Sequence, residues 1–235
     1  MTNKIIVESF NDKAIYSHIL KRYCRSDTDI ESIVNDPDWI DLDGLEETKL
    51  TTKLEEILTD IIKAKATPKI GIIIDLDMSS VKDRITFLNS ICSKAFNIAI
   101  DIERENEFKT FLLPDYDLDF ELAYCFSGLN GSGELEHLLK EIADTQSSHH
   151  ANCLETGWKP CLASKGVTVK DKDLRKLWMD FYKRMDCLSN KQRKQAKENV
   201  KWENFLVLHP EKFNFEKDIP ELNNIKQFLT SFANS

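Results

Sequence analysis

Several features are missing from this chain, and each absence narrows what it does. No apolar run in its 235 residues approaches the roughly 18 that a membrane-spanning helix needs. The first residues carry no apolar stretch of the kind that opens a secretion signal, so the expected location is the cytoplasm. No internal repeat and no low-complexity segment occurs, which argues against a solenoid or a linker-rich chain. The phosphate-binding loop Gly-x-x-x-x-Gly-Lys-Ser/Thr is absent, so any ATPase activity has to come from another chain. Cysteines number six and are scattered (Cys24, Cys92, Cys125, Cys153, Cys161 and Cys187). Three lie within apolar patterns, so reduced thiols are expected rather than a disulfide framework.

What is present is an uneven distribution of charge. The formal net charge is −8, yet residues 165–201 hold 12 Lys and Arg against 5 Asp and Glu, leaving 20 against 35 elsewhere. An acidic body with a basic later section suits a metal-carboxylate centre beside a phosphate-binding surface. A solvated basic helix face has the same composition.

The central stretch is Lys69-Ile70-Gly71-Ile72-Ile73-Ile74-Asp75-Leu76-Asp77. A β-branched apolar run of this length predicts a strand buried on both faces, at the centre of a parallel sheet. Ligands of such sheets collect at the carboxyl ends of strands, where Asp75 and Asp77 fall. Two carboxylates two residues apart repel unless a proton or cation lies between them.

Lys4 to Glu8 predicts a first strand, and a helix follows with Asn11 as its N-cap and Asp12 in its first turn. Asp27 to Asp38 reads as a polar loop, and Trp39 to Leu42 as a short strand. Glu46 to Lys65 has the apolar stripe of an amphipathic helix, and another helix starts near Ser80. Asn97 to Ile102, Phe108 to Leu113 and Glu121 to Phe126 are candidate strands. Gly128 to Gly133 is a loop before a helix opened by Glu134 and Glu136. Gln146 to Val169 reads as irregular. Leu174, Leu177, Trp178, Phe181 and Met185 mark one helix, and Leu222, Ile225, Phe228, Leu229 and Phe232 mark a last helix packing back on the body. The alternation predicts an α/β fold with a mostly parallel sheet flanked by helices, in a domain 1–145 followed by a helical, partly basic section 146–235.

Carboxylates at three separated points, Glu8 with Asp12, Asp75 with Asp77, and Glu134 with Glu136, suit Mg or Mn, which prefer hard oxygen ligands. Acids also open helices because the macrodipole favours them there, which is the plainer reading of Asp12, Glu134 and Glu136. The run from Ile5 to Asp12 followed by Ile72 to Asp77 resembles the Toprim domain of topoisomerases, bacterial primases and OLD-family nucleases. That pattern is a glutamate after the first strand and Asp-x-Asp after a later one; Ser9 stands where glycine usually follows the glutamate. The likeness covers residues 4–140 and extends to small stand-alone Toprim-like proteins through Gly133-Glu134-Leu135-Glu136.

The resemblance implies a Rossmann-like Toprim fold and a Mg-dependent (or Mn-dependent) nuclease. Glu8, Asp75 and Asp77 would be catalytic, and the metal would be shared among Glu8, Asp12, Asp75, Asp77 and Glu136. It further implies nucleic acid, RNA or DNA, as the substrate, and an ABC-type ATPase acting in trans in anti-phage defence. A homodimer, or a latent subunit of such a complex, is compatible with the same residues. Lys191, Arg193, Lys194 and Lys197 are the candidate phosphate contacts, with Trp178, Tyr182 and Trp202 as aromatic residues that could stack on unpaired bases, although Trp178 falls on the apolar stripe of its helix, where a core residue is expected. A rival resemblance is to haloacid-dehalogenase-like phosphatases, where Asp75 would be the nucleophile and Asp77 the general acid, leaving Glu8 and Asp12 without a role. His149, His150, Cys153 and Cys161 match no standard zinc spacing.

Overall fold

The computed structural model describes residues 3–23, 38–42, 44–65, 68–144 and 148–233. They fall into two compact units: Met1–Glu134 with Asp218–Ser235, and Leu135–Lys217. The division differs from the 1–145 and 146–235 expected from sequence, for two reasons. The helix Leu135–Ile142 packs its apolar side against a later helix, Asp171–Phe181, and the last helix returns to the first unit.

The first unit is a mixed α/β structure. Its strands are β1 (Lys4–Val7), β2 (Asp38–Asp41), β3 (Lys69–Asp75), β4 (Lys109–Leu113) and β5 (Leu118–Ser127). They form one sheet in the order β2-β1-β3-β5-β4. Neighbours are parallel except β4, which runs antiparallel to β5. The all-apolar run of β3 therefore lies in the middle, paired with β1 through Val7 and Ile73 and with β5 through Asp75 and Ser127.

Alternate residues of β3 serve opposite faces. Ile70, Ile72 and Ile74 are buried with α2 (Glu47–Ala64) and α3 (Val81–Phe96), through Leu50, Leu54, Ile57, Ile61, Ile85 and Leu88. On the other face lie α1 (Phe10–Tyr23) and the last helix, α11 (Pro220–Ala233). Gly71 makes room there: a Cβ would stand 2.8 Å from Cζ of Phe228. The expected return of the last helix is borne out, with Leu222, Ile225, Phe228, Leu229 and Phe232 all buried.

Two expectations fail. Asn97 to Ile102 is not a strand, because side chains of α3 take over its backbone. The Ile100 N–H donates to Ser93 Oγ at 2.9 Å, and the Ile102 N–H donates to Asn89 Oδ1 at 3.3 Å. Gln146 to Val169 is largely helical where described, in α5 (His149–Cys153), a π-helical turn (Leu154–Trp158) and α6 (Lys159–Ala163). Pro160 sits in the first turn of α6, where a missing N–H costs nothing. The predicted loop from Asp27 lies outside the described residues up to 37.

The second unit, Leu135–Lys217, carries α4 (Leu135–Ile142) to α10 (Trp202–Leu208) around an aromatic core. Trp178 and Tyr182 stack with centroids 5.1 Å apart, and Phe205, Phe213 and Phe215 are buried beside Trp202 in the same unit. Among the described residues no helix is long and apolar enough to cross a membrane.

Candidate carboxylate centre

The carboxyl edge of the sheet gathers side chains that are far apart in sequence. Glu8 follows β1, Asp75 ends β3, and Ser127 ends β5, so three adjacent parallel strands deliver polar groups to one place. The Asp75 N–H donates to Glu8 Oε1 at 2.6 Å. The Ser127 hydroxyl donates to Asp75 Oδ1 at 2.5 Å. The first contact gives a backbone N–H a side-chain partner where the β1–β3 register ends, and the second joins two side chains at the end of the β3–β5 register.

Ser9, not Asn11, opens α1. Its hydroxyl accepts from the Asp12 N–H at 3.3 Å and donates to Asp12 Oδ2 at 2.9 Å. The helix begins one residue before Asn11, so the cap lies before the expected one. A serine where the Toprim pattern usually has glycine is thus used as a helix cap that also holds Asp12.

Asp77 lies in a sharp turn with φ of 51°, a left-handed conformation that aspartate tolerates better than most residues. Its backbone is fixed from both sides. The Asp77 N–H donates to the Gly133 carbonyl at 2.8 Å, and the Gly133 N–H donates to the Asp77 carbonyl at 2.6 Å. The loop carrying Gly133 depends on Gly128, whose φ is +153° and where a Cβ would meet the Ser132 carbonyl at 2.5 Å. Arg84 Nη2 donates to Asp77 Oδ2 at 2.7 Å from the start of α3. That helix is fixed by a capping box between Ser80 and Asp83.

The electrostatics follow from this crowding. Burial pushes the Glu8 carboxyl up to about 7; repulsion from Asp12 and Asp77 adds to this, while the Asp75 N–H and Arg84 oppose it. Tyr16, on α1, is fully buried, and burial with the nearby Asp12 and Asp75 carboxylates pushes its phenol far up, against a hydrogen bond with Ser127. Tyr16 and Ser127 are buried next to the half-buried Asp75.

Glu8, Asp12, Asp75 and Asp77 belong to the first unit, where Asp12 and Asp77 act electrostatically on Glu8 and Asp75 meets it through its backbone N–H. Glu134 is buried at the end of the first unit, whereas Glu136 lies in the first turn of α4 and belongs to the second. Among the described residues, no three His, Cys, Asp or Glu side chains form a ready group for a metal. Magnesium does not require one: it binds through one or two carboxylates and keeps several waters.

The chain belongs to the family of proteins of unknown function DUF3226. The family model matches residues 2–234. No match was found among curated proteins or among solved structures.

Other expected site residues in this DUF3226 chain are placed differently. Arg193 donates from Nη2 to the Met185 carbonyl at 2.5 Å, so it braces its own unit, while Lys191, Lys194 and Lys197 are exposed. Trp178, Tyr182 and Trp202 are core residues and offer no face to a base; Trp202 instead lies under the Lys183 ammonium at 4.1 Å. Lys183 is buried, and that burial lowers its ammonium to about 8. His150 Nδ1 lies 2.8 Å from Asp186, which also accepts from the backbone N–H groups of His150 and Ala151 and so closes the start of α5.

Arg84, Ser127 and Tyr16 were not among the residues expected from sequence. Arg84 carried a faint signal, a cation four residues after a serine cap that follows Asp-x-Asp. Ser127 carried another, as the first polar residue after the apolar end of β5.

Proposed function

We propose that this chain is a Toprim-type, divalent-metal-dependent nuclease acting on phosphodiester bonds of RNA or DNA. The observation that carries the reading is the convergence of Glu8 and Asp75, which lie 67 residues apart and meet through a 2.6 Å hydrogen bond. A phosphatase of the haloacid-dehalogenase kind needs Asp75 and Asp77 but gives Glu8 nothing to do. It also requires Asp77 to deliver a proton while that carboxylate is engaged with Arg84.

Asp75 and Asp77 would hold Mg or Mn, with Glu8 and Asp12 beside them. The cation would supply Lewis-acid stabilisation of charge on the phosphate oxygens. Glu8, whose carboxyl is pushed up to about 7, exchanges a proton near neutral pH, as a general acid or base should. Asp75 is kept in place by Ser127, which is in turn held by buried Tyr16. Asp77 is kept in place by its two-way backbone bridge to Gly133. The exposed Lys191, Lys194 and Lys197 would attract the nucleic-acid backbone.

In cells the chain would work in the cytoplasm with an ABC-type ATPase in trans, as an effector in anti-phage defence. A latent subunit, silent until the complex releases it, fits the same residues. The test is cleavage of tRNA, single-stranded and duplex substrates with Mg or Mn, comparing wild type with Asp75→Ala. Metal-dependent cutting lost in the variant supports the reading. Cutting that survives Asp75→Ala refutes it, as does silence of the purified chain both alone and with its ATPase partner.

A further inference from the structure

Side chains of α3, not a neighbouring strand, hold the backbone that follows it, and between that helix and residues 102–105 lies a cavity of roughly 700 Å³. Sites for small organic molecules span about 300–1,000 Å³. The walls are fixed in advance. Asn89 donates from Nδ2 to the Ile102 carbonyl at 2.9 Å, and its Oδ1 accepts from the Ile102 N–H at 3.3 Å and from the Tyr124 hydroxyl at 3.2 Å. The Asn106 N–H donates to the Tyr124 carbonyl at 2.7 Å and ties the far end of the segment to β5. A preformed site gives up little freedom when a ligand enters.

Three kinds of side chain line this cavity. Buried Ile85 and Ile102 and half-buried Val81 make an apolar wall. Lys82 and Arg104 are exposed cations that enter no ion pair and no side-chain hydrogen bond among the described residues. Glu103 is an exposed carboxylate, equally unengaged among them. Glu105 lines the cavity too, but its carboxylate is drawn toward α11, where Asn224 Nδ2 donates to Oε1 at 3.4 Å. Two cations therefore meet one remaining carboxylate beside an apolar wall. A phosphate suits the cations, with arginine able to bind it through two N–H groups. Hydroxyl groups suit the carboxylate, which only accepts hydrogen bonds. A fatty acid or an inorganic anion would leave Glu103 or the apolar wall without a partner.

We propose that this cavity binds a mononucleotide: Lys82 and Arg104 take the phosphate, Glu103 accepts from the ribose hydroxyls, and Val81, Ile85 and Ile102 pack against the base. The site goes beyond the nuclease reading. It uses none of Glu8, Asp12, Asp75 and Asp77 and needs no metal.

Calorimetric titration of the full, metal-free chain tests this, with AMP as the probe. AMP binds, and adenosine and inorganic phosphate each bind at least about tenfold more weakly. Replacing Lys82 and Arg104 together with glutamine lowers AMP affinity about ten- to hundredfold and leaves adenosine binding as it was. Glu103→Gln loses the preference that wild type shows for AMP over its dideoxy analogue. Thermal melting checks the fold of each variant. Absence of AMP binding to wild type overturns the proposal, and so does undiminished AMP affinity in the double variant. Butyl phosphate binding as tightly as AMP overturns it as well, because the site would then take any apolar anion. A preference for AMP over the dideoxy analogue that is missing from wild type, or that persists in Glu103→Gln, contradicts the ribose contact and overturns it too. If the double variant does not fold, Arg104→Gln alone decides in the same way.

Discussion

The backbone N–H of Asp75 donates to the Glu8 carboxylate at 2.6 Å, joining the ends of two neighbouring parallel strands. One acid therefore organises the strand end that carries the other. Burial raises the Glu8 carboxyl to about 7, with Asp12 and Asp77 adding to the shift and the Asp75 N–H opposing it.

That raised value makes a statement about stability. The folded chain favours protonated Glu8, so the stabilisation is fully present below the unfolded value near 4.5 and is lost as pH rises through about 7. Glu8→Gln cannot ionise and keeps an oxygen to accept from Asp75. The variant should therefore gain on wild type across that window, reaching on the order of 2 kcal/mol at pH 8, after allowing for partial solvent screening. Urea denaturation of metal-free protein at pH 4, 6 and 8 measures it. A difference between the two chains that does not change with pH would falsify the assigned environment of Glu8.

Away from the chemistry, Gly71 tests the packing of the sheet. A Cβ there would stand 2.8 Å from Phe228 and 3.4 Å from Phe232, both buried on α11. Gly71→Ala should cost about 1–3 kcal/mol by overpacking. Thermal melts read this directly, and an unchanged melting temperature would mean that α11 does not press on β3 as described.

The exposed lysines are separable from the structural arginine. Replacing Lys191, Lys194 and Lys197 together with alanine should weaken nucleic-acid binding and flatten its salt dependence, lowering the slope by about 2–3. Stability should hardly move. Arg193→Ala should do the opposite, because its guanidinium holds the Met185 carbonyl within its own unit. Fluorescence anisotropy at several salt concentrations distinguishes the two, and equal slopes for wild type and the triple variant would exclude these lysines.

Much of this fold was readable in the chain because its signals are local. The isoleucine run of β3, the stripe of α2 and the serine cap of α3 each announce an element within a few residues. The acids at strand ends were readable for the same reason. What escaped depends on partners distant in sequence or on side chains that replace a ladder. Ile100 and Ile102 look like strand residues, but Ser93 and Asn89 of the preceding helix satisfy their amides. Gly157 and Pro160 suggested an irregular segment, yet a π-helical turn and a helix start accommodate them. Arg84 finds Asp77 only because the turn between them reverses the chain, and Tyr16 meets Ser127 only once the sheet has formed. Trp178 lies in the core, as its place on the apolar stripe implied, whereas Trp202, which looked available for bases, is claimed by the aromatic core of the same unit.

The most direct measurement is single-turnover cleavage, with Mg or Mn, of whichever nucleic acid the wild-type chain cuts, comparing wild type with Glu8→Gln. A general acid or base is worth roughly 10²–10⁴ in rate, so a loss of that size is expected while Mn affinity falls far less. Equal rates in the two proteins would contradict a catalytic centre built on the meeting of Glu8 and Asp75.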